Sequence, residues 1–329
     1  MRLHIIKRYA VLGLILACNS SAVPGRKEVA GAGCDREIRT VQRPDKATLS
    51  YLRIPCIANE GWDTMPEIQF WRRVVSLSED SSLANVDATR RMLCVYPKKL
   101  VDSLDAKGRL DSLRNQTCRR FNLPEGTRIR FTGGKKWFYN YEGVSMKLHR
   151  AIEVFDSLGV DPFYAQSVLL IESPGTNKAK SIAGAYGNFQ LMPFVARSYG
   201  LRVDAYIDER ENFDRSAYAA ARLIREICVP YARRWCQEYG FAVDEKALWF
   251  KLLALHCYNA GSGTVKQAMA VVPRTAQGNT LIKTLWHTSA GYFRSEAQNY
   301  SQLALACYLE YEKSVSPHTF VSAKVYNKF

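Results

Sequence analysis

The sequence predicts a mainly α-helical protein, and three observations carry that prediction. Apolar residues recur at helical spacing from Met146 to Leu158 and again from Ala297 to Tyr311. Two segments, Phe163 to Ile171 and Ala247 to Leu255, are apolar on nearly every face, as in helices buried in the middle of a domain. Helix punctuation falls where it is needed: Asp161-Pro162 opens the first of these segments and Pro174-Gly175 closes it. The hydrophobic content of 47% and charged content of 23% are ordinary for a folded chain and argue against disorder. The 329 residues suffice for one large domain or two modest ones.

At the start, Arg2, Lys7 and Arg8 precede a short apolar run from Tyr9 to Ala17. The run is too short to span a bilayer, so residues 1–17 are expected to be a lipoprotein-type secretory signal. Ile15-Leu16-Ala17-Cys18 resembles a bacterial lipobox, with Cys18 as the lipid-accepting residue. The alternative is ordinary signal cleavage near Ala22, with Cys18 lost. The expectation is therefore export to the periplasm and attachment to a membrane, the outer one, through an N-terminal lipid anchor. Residues 18–65 begin with Gly, Pro, Ser and charge and read as a tether.

Nine cysteines are present, and eight remain once Cys18 is set aside. An even number in an exported chain favours disulfides over free thiols. Sequence proximity pairs Cys34 with Cys56, Cys94 with Cys118 and Cys228 with Cys236, leaving Cys257 with Cys307. The alternative is that several are buried apolar thiols. No Cys-x-x-Cys spacing occurs and the five histidines are scattered, so no metal site and no cofactor are expected.

Residues 66–136 are expected to form a helical pre-domain without chemistry of its own. Phe70-Trp71, Val74-Val75 and Leu77 mark one face, which Met92, Val95, Leu100, Leu104 and Leu110 continue less regularly. Arg128 to Phe131 alternates, Gly133-Gly134 turns, and Lys135-Lys136-Trp137-Phe138-Tyr139 follows, which together suggest a hairpin. Its aromatics and lysines either touch sugar or tuck into a domain junction.

Glu172 sits in the last turn of the apolar helix that starts at Asp161. The helix C-terminus carries partial negative charge and apolar neighbours desolvate the carboxylate, so both effects favour the protonated form. The position suits a general acid. Past it, Gly184-Ala185-Tyr186-Gly187 forms a turn that lets backbone approach a ligand, Gln190 offers an amide, and Pro193 starts a short helix. Asp208, Glu209 and Asp214 are expected to bond locally and cap helices. His256 is expected to be a satisfied helix-end histidine. The net charge of +15 admits nucleic acid, a membrane surface, an anionic polymer or a merely soluble basic surface as its reason. No zinc-finger spacing or other nucleic-acid motif is present, so nucleic acid is not an expected partner.

Glu172-Ser173, Ala179-Lys180-Ser181, Gly184-Ala185-Tyr186-Gly187 and Gln190-Leu191-Met192-Pro193 fall in register into one pattern. It resembles the catalytic core of the lytic transglycosylases with a lysozyme-like (SLT) fold. Ile207-Asp208-Glu209-Arg210 and Ala219-Ala220-Ala221-Arg222 resemble a further segment of the membrane-bound murein transglycosylase D-like branch. Cys257-Tyr258-Asn259-Ala260-Gly261-Ser262-Gly263 is similar to the family's Ala-Tyr-Asn-Ala-Gly-x-Gly, with Cys257 replacing Ala. Glu296 and Tyr300 match Glu-Thr-x-x-Tyr, with Ala297 replacing Thr, and Pro174-Gly175 stands where the family has an aromatic.

The resemblance implies a lysozyme-like catalytic domain over residues 137–313, followed by a tail over 314–329. It implies that Glu172 is the single acid and base cleaving the β-1,4 bond between N-acetylmuramic acid and N-acetylglucosamine in peptidoglycan, leaving a 1,6-anhydro end. Ser173, Ser181, Gly187, Gln190, Met192, Tyr258, Asn259, Glu296 and Tyr300 would bind the glycan strand. Glu296 would be a second cleft carboxylate, or else an exposed helix-start acid. The rival readings are a goose-type lysozyme-like hydrolase and a non-catalytic peptidoglycan-binding protein that kept the fold.

Overall fold

Residues 36–53, where composition suggested part of a tether, instead form two antiparallel strands. The structure is a computed structural model that describes residues 36–139, 141–172 and 179–326. Met1–Ala32 and Gly33–Phe329 separate as two units, and the described residues all belong to the second. Strands β1 (Arg36–Gln42) and β2 (Thr48–Arg53) are joined by a turn that holds Lys46 in the left-handed region. On the other side of β1 lies a strand from the C-terminal tail, Thr319–Tyr326, pairing Val41 with Phe320 and Glu37 with Val325. The 36–53 segment thus supplies two strands of this three-stranded sheet and the tail the third.

Helix α1 (Cys56–Asn59) follows β2, and then α2 (Pro66–Ser76) buries Ile68, Phe70, Trp71, Val74 and Val75, the face expected from its spacing. The rest of the expected helical pre-domain is mixed. Strands β3 (Ser81–Val86) and β4 (Met92–Pro97) are followed by α3 (Lys98–Ala106), α4 (Leu110–Arg120) and β5 (Ile129–Gly133). The strands stack in the order β4-β3-β5, all antiparallel. Met92 and Val95 broke the helical period because they lie on an edge strand, where both stay exposed. The expected hairpin does not form: β5 pairs back to β3, and residues 135–139 turn without a strand partner.

The remaining elements are α5 (Ser145–Ser157), α6 (Pro162–Glu172), α7 (Pro193–Ser198), α8 (Phe213–Leu223), α9 (Val229–Tyr239), α10 (Leu248–Ala260), α11 (Ser262–Val271), α12 (Asn279–His287), α13 (Ser295–Val315) and β6, the tail strand Thr319–Tyr326. A π-helical turn, Ile224–Cys228, carries α8 into α9. The fold is mainly α, as expected. Every residue from Pro162 to Ile171 on α6 and from Leu248 to Cys257 on α10 is buried. α5, α10 and α13 pack around α6, and α2 packs on α13.

Asp161 caps α6 as expected, accepting from the Phe163 N–H at 3.0 Å. Its carboxylate also holds the Arg36 guanidinium of β1 and, at 2.8 Å, the Lys251 ammonium of α10. All three side chains are buried. Burial pushes the Asp161 carboxyl up, but the Lys251 and Arg36 charges outweigh it and hold the group below the usual carboxylate range. The first strand is thereby tied to the helix that ends in Glu172.

The cysteine expectation is corrected. Cys94, Cys118, Cys228, Cys236, Cys257 and Cys307 are free thiols, so Cys94–Cys118, Cys228–Cys236 and Cys257–Cys307 are not formed. Cys228 and Cys236 lie eight residues apart on one continuous helix, about 12 Å along its axis. A disulfide needs its Cα atoms within about 7 Å. Burial pushes the thiols of Cys228, Cys236, Cys257 and Cys307 up, the environment of inert apolar groups. Cys56 is disulfide-bonded, and Cys34, the partner expected for it, lies outside the described residues.

Candidate active site

Glu172 is the last residue of α6, half-buried where that apolar helix reaches the surface. Burial pushes its carboxyl up from 4.5 to about 7, against a hydrogen bond that favours the charged form. That bond comes from Tyr300 on α13, whose hydroxyl donates to Glu172 Oε1 at 2.8 Å. With Oε1 so occupied, Oε2 is the oxygen left to carry an acidic proton. Tyr258, near the end of α10, also lies within electrostatic reach of Glu172, and its own hydroxyl donates to the Phe189 carbonyl at 2.6 Å. Tyr139 is the third tyrosine in this shell. Burial foremost, and then the Glu172 charge among other groups, hold all three phenols well above their ordinary range, so they stay neutral donors. The influences on the Glu172 carboxyl are burial first and the Tyr300 hydrogen bond second.

Residues 179–191 make a tight loop, joined to Tyr258 through the Phe189 carbonyl. The Ser181 hydroxyl accepts from the Ala185 N–H at 2.9 Å, which leaves its own proton to donate elsewhere. Gln190 sits at positive φ and spends both amide protons on the Ala179 and Gly187 carbonyls, at 2.7 and 2.9 Å. Its side-chain oxygen remains. Gly187 has φ +82, and a Cβ there would lie 2.3 Å from the Arg210 carbonyl oxygen. The close approach at this glycine is therefore to the protein's own backbone. Gly187→Ala should destabilise the fold by at least about 1–3 kcal/mol, because the loop must shift from both strain and clash; unchanged denaturation midpoints would refute that role.

Arg210, which sequence reasoning passed over, clamps the same loop from behind. Buried, it donates to the Gly184 and Leu191 carbonyls at 2.8 and 2.7 Å and is held by Asp208. Its only sequence signal was the Asp-Glu-Arg triplet, read for its acids. Two of those acids bond locally: Asp208 accepts from the Arg210 N–H and Glu209 pairs with Arg215, whereas Asp214 pairs with the distant Arg150 and the cap of α8 is Asn212.

Among the other candidates, Met192 precedes α7 and is half-buried, and Asn259 is exposed near the end of α10. Glu296 is exposed in the first turn of α13, one turn before Tyr300. Ser173 and Cys18 lie outside the described residues, as do Pro174-Gly175. His256 is buried and takes no part: its Nε2 lies 2.8 Å from the Ser301 hydroxyl, which itself accepts from Trp286, and burial pushes its imidazole down to about 4. Trp137 is 66% exposed and lines a cavity of about 580 Å³ together with Lys136, Arg43 and Tyr139.

No curated protein matches the chain. A solved structure of the lytic transglycosylase Slt from Pseudomonas aeruginosa, an inactive mutant, is similar at 15% identity with a TM-score of 0.35, over 68% of this chain and 32% of that one. The present chain thus spans about a third of that protein's length. The family model of the transglycosylase SLT domain matches residues 151–280, from α5 to the first turn of α12, taking in Glu172, the 179–191 loop and Tyr258 and leaving Tyr300 outside. Over residues 151–280, this chain is similar to the transglycosylase SLT domain.

Proposed function

We propose that this protein is a peptidoglycan lytic transglycosylase, cleaving the N-acetylmuramic acid–β-1,4–N-acetylglucosamine bond with Glu172 as its single acid and base. The observation that carries the reading is the Glu172 carboxyl itself. It is held near 7 by burial and braced by one tyrosine. Ordinary glycosidases need a second acid about 5–10 Å away, either to attack or to activate water. A lone group that is protonated in one step and charged in the next can instead serve a substrate that supplies its own nucleophile.

In this mechanism Glu172 Oε2 donates its proton to the glycosidic oxygen as the bond to C1 breaks. The substrate's N-acetyl group supports the electron-poor C1, as the family resemblance implies. The Glu172 carboxylate then takes the proton of the muramoyl 6-hydroxyl, whose oxygen closes on C1. The enzyme ends as it began, and no water is consumed. A pKa near the working pH makes both transfers accessible to one group. The Ser181 hydroxyl proton and the Gln190 side-chain oxygen would bond sugar hydroxyls, with Gly187, Met192, Tyr258 and Asn259 shaping the cleft, as the family resemblance implies. Ser173 and the exposed Glu296 would reach the strand further along. Export and a lipid anchor at Cys18 rest on residues 1–18 alone; among the described residues no helix is long and apolar enough to cross a membrane.

Digestion of purified sacculi in water enriched in oxygen-18 tests the proposal. Muropeptides should end in unlabelled 1,6-anhydro-N-acetylmuramic acid, lighter by one water than the reducing sugar. Labelled reducing ends as the main product would assign a lysozyme-like hydrolase, and intact sacculi a binding protein.

A further inference from the structure

A second cavity, of about 700 Å³, lies between the β3–β5 layer and the N-terminal end of α13. Its lining lies outside the SLT segment, in residues 67–130 and 286–302. Four guanidiniums line it, from Arg90, Arg128, Arg130 and Arg294, against two carboxylates, Asp87 and Glu67. Asp87 is already shared, pairing with Arg130 at 2.5 Å and Arg128 at 3.6 Å. Arg90 lies over the Phe70 ring and donates to Asn299 at 3.2 Å, so it is fixed in place rather than neutralised. The first turn of a 21-residue helix adds its partial positive charge at the same wall. The cavity therefore has an excess of positive charge.

Glu67 makes the opposite demand. It is 9% exposed, one oxygen takes His287 Nε2 at 3.1 Å, and Oε2 has no hydrogen-bond partner among the described residues. A buried carboxylate oxygen left unpaired costs about 1–3 kcal/mol or more. A simple anion would satisfy the arginines and repel Glu67. A ligand that brings carboxylates and an ammonium together satisfies both.

We infer that this cavity binds a short zwitterionic peptide, its carboxylates on Arg128, Arg130 and Arg294 and its ammonium on Glu67 Oε2. The inference rests on the function proposed above in one respect: it names the peptide as the one the glycan strand carries. α13 links the two sites, because Tyr300 faces Glu172 while Ser295, Gln298 and Asn299 line the cavity. A strand with its sugars at Glu172 would thus be read a second time through its peptide, which would set which stretches of wall are cut.

The test is calorimetric titration of the full chain with the wall tetrapeptide Ala-γ-Glu-diaminopimelate-Ala, acetylated at its N-terminus so that, as on the strand, the side-chain amine is its only ammonium. It involves no turnover, so it stays readable whether the protein proves a transglycosylase, a hydrolase or neither. Arg128→Gln combined with Arg130→Gln should weaken binding at least about tenfold, the size of a lost charge-assisted contact. The Arg128 side chain is 78% exposed, so Arg128→Gln alone leaves the fold in place and gives a readable partial loss. Glu67→Gln should weaken the same peptide, and acetylating the peptide's side-chain amine should abolish that difference. Four outcomes would overturn the proposal: no binding at millimolar peptide, equal affinity across the arginine variants, an effect of Glu67→Gln that survives acetylation, or equal binding of inorganic phosphate.

Discussion

Glu172→Gln is expected to lower sacculus-lysing activity by at least about 10²–10⁴-fold while the protein stays folded. The amide is nearly isosteric with the carboxyl but has no acidic proton to give, and Tyr300 can still donate to its oxygen. The pH dependence follows from the raised carboxyl. Wild-type activity should fall as pH rises through about 7, where the acid form is lost. Stability moves the same way. A group whose folded pKa lies above its unfolded value contributes fully below about 4.5 and loses that contribution as pH climbs through 7. Glutamine never charges, so the variant should match the wild type near pH 4 and exceed it at pH 8. The gain should be roughly 1–3 kcal/mol, allowing for the solvent that reaches this half-buried group. Denaturation midpoints across that range measure it. A variant with near-wild-type lysis, or a stability gain that shrinks toward alkaline pH, would remove Glu172 from the acid role.

The largest stability loss is expected at Asp161. Asp161→Asn keeps the shape and much of the helix cap but removes the charge that Arg36 and Lys251 share. Two cations would then face each other in the interior, and breaking such a buried pair costs about 3–5 kcal/mol. Lys251 can relieve the strain by giving up its proton, since burial already pushes its ammonium down against the pull of Asp161. The variant should therefore regain stability as pH rises. In the wild type the depressed Asp161 carboxyl contributes stability above its unfolded pKa and loses it as pH falls through the lower folded value. Adding Lys251→Met to Asp161→Asn should recover part of the loss. A single variant within about 1 kcal/mol of wild type would show that the cluster is not a structural tie.

Where the sequence misled, the cause was contact between distant segments. β1 has no signal strong enough to mark it as a strand beside the Gly- and Pro-containing stretch that precedes it, and its partner β6 comes from the other end of the chain. β5 looked like half of a local hairpin, yet it pairs with β3, across two intervening helices. Proximity paired Cys228 with Cys236, but one helix holds both and keeps them apart. Arg210 looked like part of an acidic loop, and only its four bonds to the 184–191 backbone and Asp208 show it as the clamp of the site.

The sequence by itself determined α6, its cap at Asp161, the buried face of α10, and the placement of Glu172 at a helix end beside a Gly- and Gln-bearing loop. Each of these depends on interactions within a few residues: a cap, a breaker, a 3.6-residue period. The tertiary structure alone decided how acidic Glu172 is, because desolvation sums over atoms brought from every part of the chain and the single brace comes from Tyr300, outside the matched domain. It also decided the charge balance around Asp161, set by residues from β1 and α10 that no spacing rule connects. Local order is written along the chain, whereas burial and charge pairing exist only once the chain has closed on itself.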